Sequence, residues 1–213
     1  ATLGSRVMNP VGGSTWDRWR WLALLLPLLV AAALYLPGIG QRLIYAGDEA
    51  RYALLARTMI ETGDWLVPRL SGEVRMAKNP LFIWSIAALS LPGGKVTELT
   101  AVLPAALSGI AGVGMTMLLA RRMFGLRAAL LTGFVLATTW GYLWMARMAL
   151  ADMMVAFWVV ASMAAFWHAV ADGGTSRRLP MALFWVCVAG GLAAKGPAGL
   201  MPVLPCGAFL VAE

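Results

Sequence analysis

Four nearly unbroken apolar runs, Trp19 to Leu36, Leu99 to Leu119, Ala128 to Ala146 and Met153 to Ala171, constrain this 213-residue chain more than anything else in it. A hydrocarbon core about 30 Å thick takes about 20 apolar residues of helix, so each run is long enough to cross a bilayer. The composition agrees: 61% of residues are hydrophobic and 13% charged, where soluble domains carry about 45–50% apolar and about 25% charged residues. A water-soluble globule is excluded. Two further apolar stretches, Leu179 to Ala194 and Pro197 to Ala212, flank Lys195-Gly196-Pro197 and read either as two short spans or as one broken element. The expected fold is an all-α polytopic membrane protein of about five to six transmembrane helices. Ser108 and Gly112 supply a small-residue spacing of the kind that packs helices in membranes.

The whole chain, 1–213, reads as a single transmembrane domain. Its first span covers 18–37, a loop covers 38–98, and the remaining spans occupy 99–212. From Pro37 to Pro80, six basic residues mix with five acidic ones, making this the one substantial extramembrane segment. Within it, Asp48 to Thr62 reads as a helix, with carboxylates in its first turn and Gly63 just past its end. Tyr52, Ala53, Leu55, Ala56, Met59 and Ile60 fall on one broad face, as an amphipathic interfacial helix requires. Leu81 to Leu91 is too short to cross and predicts a second interfacial helix over about 80–91.

Basic residues cluster before the first span (Arg6, Arg18, Arg20), after the second (Arg121, Arg122, Arg127) and after the fourth (Arg177, Arg178). The positive-inside rule makes these segments, and the N-terminus, cytoplasmic. Alternation then gathers Asp48, Glu49, Arg51, Lys78, Arg147, Asp152 and Lys195 on the opposite face. The net charge of +7 is accounted for by charges flanking spans, and no nucleic-acid-binding motif accompanies it. Cys187 and Cys206 lie in apolar runs with neither zinc-ligand nor secreted-disulfide spacing. His168, the one histidine, falls near the cytoplasmic end of the fourth span and reads as a packing residue.

Ionisable groups at membrane depth are costly and point to function, but each of these also has a structural reading. Asp48 and Glu49 serve helix-dipole compensation as readily as catalysis, and Asp48 stands one turn from Arg51, within reach of a local ion pair. Lys78 precedes Asn79-Pro80, where the pre-proline position extends the chain. It suits a lipid phosphate and equally an ordinary snorkelling lysine. Asp152 reads as a site carboxylate or a helix cap, and Lys195 as a site cation or a snorkelling terminus.

The motifs Gly47-Asp48-Glu49-Ala50-Arg51-Tyr52, Thr62-Gly63-Asp64-Trp65-Leu66-Val67-Pro68-Arg69-Leu70 and Lys78-Asn79-Pro80-Leu81-Phe82-Ile83-Trp84 together resemble the first outer loop of GT-C class membrane glycosyltransferases. These are bacterial relatives of the protein O-mannosyltransferases, and the likeness is greatest to the 4-amino-4-deoxy-L-arabinose lipid A transferases. Ala146-Arg147-Met148-Ala149-Leu150-Ala151-Asp152 and Gly191-Leu192-Ala193-Ala194-Lys195-Gly196-Pro197 follow in family order.

The resemblance implies a GT-C-like fold in the bacterial inner membrane with its active face periplasmic. It implies transfer of a sugar, aminoarabinose or a related one, from an undecaprenyl-phosphate donor to lipid A or another periplasmic acceptor. It makes Asp48 the catalytic carboxylate and Asp152 a second one. Glu49, Arg51, Tyr52, Lys78, Arg147 and Lys195 become substrate-binding residues, with Lys78 on the carrier phosphate.

Two departures stand out. The family often has Glu-Lys-Pro-Pro where this chain has Ala77-Lys78-Asn79-Pro80. That glutamate resembles a metal ligand in the lipid A transferases, so Ala77 argues against a divalent-metal site like theirs. Family members are also more than twice as long, so the chain is expected to correspond to their N-terminal part, without the C-terminal half. The alternative reading is a non-catalytic lipid-phosphate-binding or partner module. A transporter fits less well, because its charges belong near the midplane rather than at one surface.

Overall fold

The computed structural model describes residues 15–44, 47–66, 69–70, 73–74, 78–171 and 178–212. Arg6, Ala77 and Arg177, which figure in the reading above, lie outside them. Nine helices follow one another among the described residues: α1 (Thr15–Tyr35), α2 (Asp48–Thr62), α3 (Pro80–Ser90), α4 (Glu98–Phe124), α5 (Leu126–Thr138), α6 (Trp140–Ala146), α7 (Asp152–Ala171), α8 (Arg178–Lys195) and α9 (Val203–Ala212). A two-rung antiparallel pairing, β1 (Arg69–Leu70) with β2 (Glu73–Val74), interrupts the loop between α2 and α3. By length and composition α4, α7 and the stretch Arg178–Leu200 are long and apolar enough to cross a membrane. The bent pair α5 and α6 makes a fourth if it is one span, while Leu22–Tyr35 and Pro80–Gly93 are shorter apolar helices.

The middle of the bundle is α4, which packs against α1, α3, α5, α6 and α7. Its buried positions Ala101, Ala105, Gly109, Gly112, Met117 and Ala120 recur every three to five residues, the period of one helix face. Small residues bring neighbouring backbones close here, as membrane helices require. The seam runs through Gly109 and Gly112 rather than through the Ser108 and Gly112 pair: the Tyr142 hydroxyl donates to the Gly109 carbonyl at 3.0 Å, and a Cβ on Gly109 would stand 3.1 Å from that of Ala146. A capping box starts α4, with the Thr97 hydroxyl accepting from the Thr100 N–H and the Thr100 hydroxyl accepting from the Thr97 N–H.

The third apolar run does not form one straight helix. It bends by 64° between α5 and α6, where Thr139 takes an extended conformation at φ −63° and ψ 121°. The hydroxyls of Thr138 and Thr139 turn back onto the carbonyls of Phe134 (2.8 Å) and Val135 (2.6 Å). Such back-bonding competes with the helical ladder, and hydropathy alone does not register it.

Helix α3 is held inside the protein along one side: Phe82, Ile83, Ile86 and Ala87 are fully buried. The ring of Phe82 meets that of Tyr52 edge-on at 5.0 Å, joining α3 to α2. The buried face of α2 is Glu49, Tyr52, Leu55, Ala56 and Met59, and its exposed face carries the Arg57–Glu61 pair. Gly63 closes the helix in the left-handed conformation at φ 71°.

Beyond Lys195 the chain leaves α8 through a 3-10 turn, Gly196–Leu200, and folds back against α8. Gly191 and Gly199 make this possible. A Cβ on Gly191 would stand 2.9 Å from the Gly199 Cα, and one on Gly199 would overlap the Gly191 backbone. Gly199→Ala therefore overpacks backbone against backbone. It is expected to destabilise the protein by roughly 2 kcal/mol, read as a lowered thermal midpoint in detergent. An unchanged midpoint would contradict this close approach.

Candidate functional site

At one end of the bundle the chain turns into α2 through Gly47, whose φ of 75° suits glycine. Asp48, the first residue of α2, accepts from the Lys78 ammonium at 2.9 Å through one carboxylate oxygen and from the Arg51 guanidinium at 3.1 Å through the other. Lys78 is presented by the Asn79-Pro80 turn, with Asn79 extended at φ −70° and ψ 143° as the residue before a proline prefers. The ammonium also lies 5.0 Å from the centroid of the Tyr52 ring, a cation–π contact on its second side. Lys78 is thus largely enclosed, its side chain 20% exposed, while the Asp48 side chain is 50% exposed and open to a ligand.

These contacts set the protonation states. The Lys78 hydrogen bond above all holds the Asp48 carboxyl below its ordinary value, with the Lys78 and Arg51 charges acting the same way and partial burial opposing them. The Tyr52 phenol is pushed up to about 12, mainly by burial, with the charges of Asp48 and Asp152 adding to the shift. Tyr52 is therefore neutral, and both carboxylates lie within electrostatic range of it.

The second half is an ion pair between Asp152, first residue of α7, and Lys195, last residue of α8. A carboxylate at a helix N-terminus and a cation at a C-terminus each match the sign of the helix dipole. Both side chains remain partly exposed. Asp48, Lys78, Tyr52, Asp152 and Lys195 thus come together from α2, the turn before α3, α7 and the end of α8.

Glu49 and Arg147 are placed differently. Glu49 is buried, with one carboxylate oxygen accepting from the Ala149 N–H at 2.8 Å and pairing with Arg42. Arg147 donates to the carbonyls of Leu34 (2.8 Å), Tyr35 (3.3 Å) and Pro37 (2.8 Å), satisfying the C-terminal end of α1. These two residues knit the framework around the site. Arg51 is well exposed and shares Asp48 with Lys78. Sequence reasoning passed over Arg42, which gave no signal beyond its place seven residues before Glu49. It read Asn79 as a pre-proline position and a departure from the family motif, and did not anticipate that its amide reaches the Leu192 carbonyl at 2.8 Å.

Among the described residues, no three His, Cys, Asp or Glu side chains are grouped so as to hold a metal ion, and Ala77 lies outside the described set. His168 lies sixteen residues along α7 from Asp152, about 24 Å of helix. It lines a separate, mostly apolar cavity of about 300 Å³ with Met115, Leu118, Arg122, Leu183 and Cys187.

The profile of the PMT family, dolichyl-phosphate-mannose-protein mannosyltransferase, matches residues 19–212. The chain belongs to this family. An uncharacterized protein of Aquifex aeolicus is 32% identical to this PMT-family chain over 88% of its length and 36% of the relative's. An undecaprenyl phosphate-alpha-4-amino-4-deoxy-L-arabinose arabinosyl transferase of Shewanella sediminis is 27% identical over 89% of the chain and 35% of the relative. The PMT-family chain spans about a third of the length of these relatives.

Crystal structures of ArnT from Cupriavidus metallidurans share its fold. The apo form gives a TM-score of 0.78 at 28% identity, covering 93% of this chain and 37% of that one. The form bound to undecaprenyl phosphate gives 0.76 at 29%, covering 92% and 35%. An Archaeoglobus fulgidus oligosaccharyltransferase, 17% identical with a TM-score of 0.71 over 89% of this chain and 25% of that one, shares the fold. The fold is thus GT-C-like, as the sequence motifs implied.

Two outcomes follow from this geometry. Removing the cation in Lys78→Met is expected to move the Asp48 titration up toward its ordinary 3.8, followed through the carboxyl signal of ¹³C-labelled aspartate. Because the native value is depressed, the pair's stabilisation is present above the unfolded carboxylate pKa and is lost as pH falls through the folded value. A titration that does not move would mean that Lys78 does not hold Asp48. Glu49→Ala leaves the Ala149 N–H and Arg42 without their shared acceptor. A loss of roughly 2 kcal/mol is expected, read as a lowered thermal midpoint, and wild-type stability would show the strut to be dispensable.

Proposed function

We propose that this chain supplies the donor-phosphate site of a polyprenyl-phosphate-sugar-dependent glycosyltransferase. The reaction moves aminoarabinose or a related sugar from an undecaprenyl-phosphate carrier to lipid A or another periplasmic acceptor at the bacterial inner membrane. Family membership supports a glycosyltransferase, and the names of the relatives and the carrier lipid bound by ArnT support the donor class. The observation that carries the reading is the presence of two lysine–carboxylate pairs, Lys78–Asp48 and Lys195–Asp152, on elements joined by the Asn79 amide on the Leu192 carbonyl.

In the reaction, the bond between the anomeric carbon and the phosphate oxygen breaks and a bond from an acceptor oxygen to that carbon forms. Negative charge builds on the departing polyprenyl phosphate. Lys78, already enclosed and oriented by the Tyr52 ring, stabilises that charge without reorganising. As the phosphate takes over the ammonium, Asp48 is released toward the sugar or the acceptor.

The depressed Asp48 carboxyl is a weak base in the resting site, since general-base catalysis works best with a pKa near the operating pH. A lipid A phosphate, ionised at neutral pH, surrenders little or no proton. Asp48 then orients the reactants. A hydroxyl acceptor would instead pass its proton to Asp48 once Lys78 has left it.

The periplasmic assignment of the site rests on the basic residues at the far ends of the helices. Arg121 and Arg122 close α4, Arg127 opens α5 and Arg178 opens α8, all remote from Asp48 and Asp152. By the positive-inside rule that end is cytoplasmic.

Asp48→Asn in the complete gene product, assayed in membranes for loss of radiolabelled sugar from undecaprenyl phosphate, is expected to cut transfer by about 100-fold or more. Retention of transfer would remove Asp48 from the mechanism. Donor bound but never consumed by the wild-type protein would favour a lipid-phosphate-binding module instead.

A further inference from the structure

Asn79 stands at the position that caps the N-terminus of α3, where an asparagine side chain ordinarily accepts from the next turn. It makes no such bond among the described residues. Its amide instead crosses 113 residues of sequence and donates to the Leu192 carbonyl at 2.8 Å. Leu192 lies in the last turn of α8, whose final carbonyls a helix leaves without intrahelical partners. The amide group also lies beside the turn that follows α8: a Cβ on Gly196, which has a φ of +62°, would stand 3.3 Å from the Asn79 Oδ1 and 3.6 Å from its Nδ2. The Asn79 amide therefore ties the turn before α3 to the end of α8, which carries Lys195.

This side chain sits between two ion pairs that are each made without it. Lys78, the preceding residue, holds Asp48, and Lys195, three residues past Leu192, holds Asp152. Neither pair uses the Asn79 side chain, so truncating it would remove a link between α8 and the Lys78 turn without taking a partner from either pair.

We propose that Asn79 is a positioning residue that fixes the Asp152–Lys195 pair relative to the Lys78–Asp48 pair, so that a sugar phosphate is gripped at both ends in register. The catalytic part of this inference rests on the glycosyltransferase reading; the structural link does not. A misplacement of about 1 Å between reacting groups costs up to about 100-fold in rate, whereas the phosphate contacts of Lys78 persist. The loss therefore falls on kcat rather than on KM.

The test uses the complete gene product in nanodiscs, in a background with Cys187→Ala and Cys206→Ala. Spin labels are placed at Leu66 and Met201, both exposed. Leu66 follows Trp65, whose carbonyl is tied to α3 by the Trp84 indole N–H at 2.7 Å, and Met201 follows the 3-10 turn after Lys195. Asn79→Ala, and the near-isosteric Asn79→Asp that cannot donate, are expected to broaden the distance distribution between the labels. In unlabelled protein they are expected to lower kcat for sugar transfer at least tenfold with KM within threefold. Asn79→Gln, which keeps a donor amide, is expected to recover part of both.

A distribution as narrow as that of wild type in both variants overturns the link. Broadened distances with undiminished kcat overturn the positioning role. If the wild-type protein transfers no sugar, the glycosyltransferase reading fails, and the label distances alone decide the link.

Discussion

One oxygen of Glu49 fastens three separate pieces of chain at the charged end of the bundle. It accepts from the Ala149 N–H and pairs with Arg42, so α2, the segment after α1 and the turn before α7 meet at a single buried carboxylate. Asp48 adjoins Glu49, and Asp152 follows Ala149 by three residues. The two partly exposed carboxylates are therefore suspended from the same buried one. Burying a carboxylate is costly unless its oxygens are paired, and this pairing makes the position of α2 a matter of hydrogen-bond geometry rather than of apolar contact alone. Arg147 repeats the device on the other side, spending its guanidinium on the final carbonyls of α1.

With the framework secured by Glu49, Arg42 and Arg147, the remaining charges form pairs that stay partly open to solvent. Asp48 faces Lys78 and Arg51, and Asp152 faces Lys195, so each carboxylate is matched by cations, which lowers the cost of gathering ionised groups at one end of an apolar bundle. On the proposed reading, a phosphate entering such a site would exchange one anionic partner of a lysine for another, rather than meeting a bare cation. The Tyr52 ring lies against the Lys78 ammonium and is itself fixed by Phe82 of the buried α3.

Close backbone approach is the second requirement. Glycines at 109, 112, 191 and 199 let α4, α6, α8 and the turn after α8 approach closely enough for helix ends to bring their charged residues together. Lipid tails offer helices no hydrophobic driving force toward one another, so packing of this kind carries the association. The bend at Thr139 belongs to the same economy of space: it turns α6 so that the Tyr142 hydroxyl reaches the Gly109 carbonyl and Arg147 reaches the end of α1.

Much of this was legible in the residues. Apolar run length set the helical, membrane-type fold, because a bilayer dictates length and hydropathy directly. The period of Tyr52, Leu55, Ala56 and Met59, with Gly63 after them, marked α2, because a helix repeats every 3.6 residues and glycine ends it at little cost. Ordered motifs were enough to identify the family and to nominate Asp48, Lys78, Asp152 and Lys195. What each residue does with its side chain was not legible, because partners about 100 residues apart leave no local pattern. That Glu49 and Arg147 brace the framework, that Asn79 reaches Leu192, and that the third run breaks at Thr139 are consequences of where other backbones lie. The sequence by itself determined the solvent, the helices and the charged residues available; only the tertiary structure decided which charges face one another and which are consumed in holding the helices, because hydrogen bonds depend on distance in space.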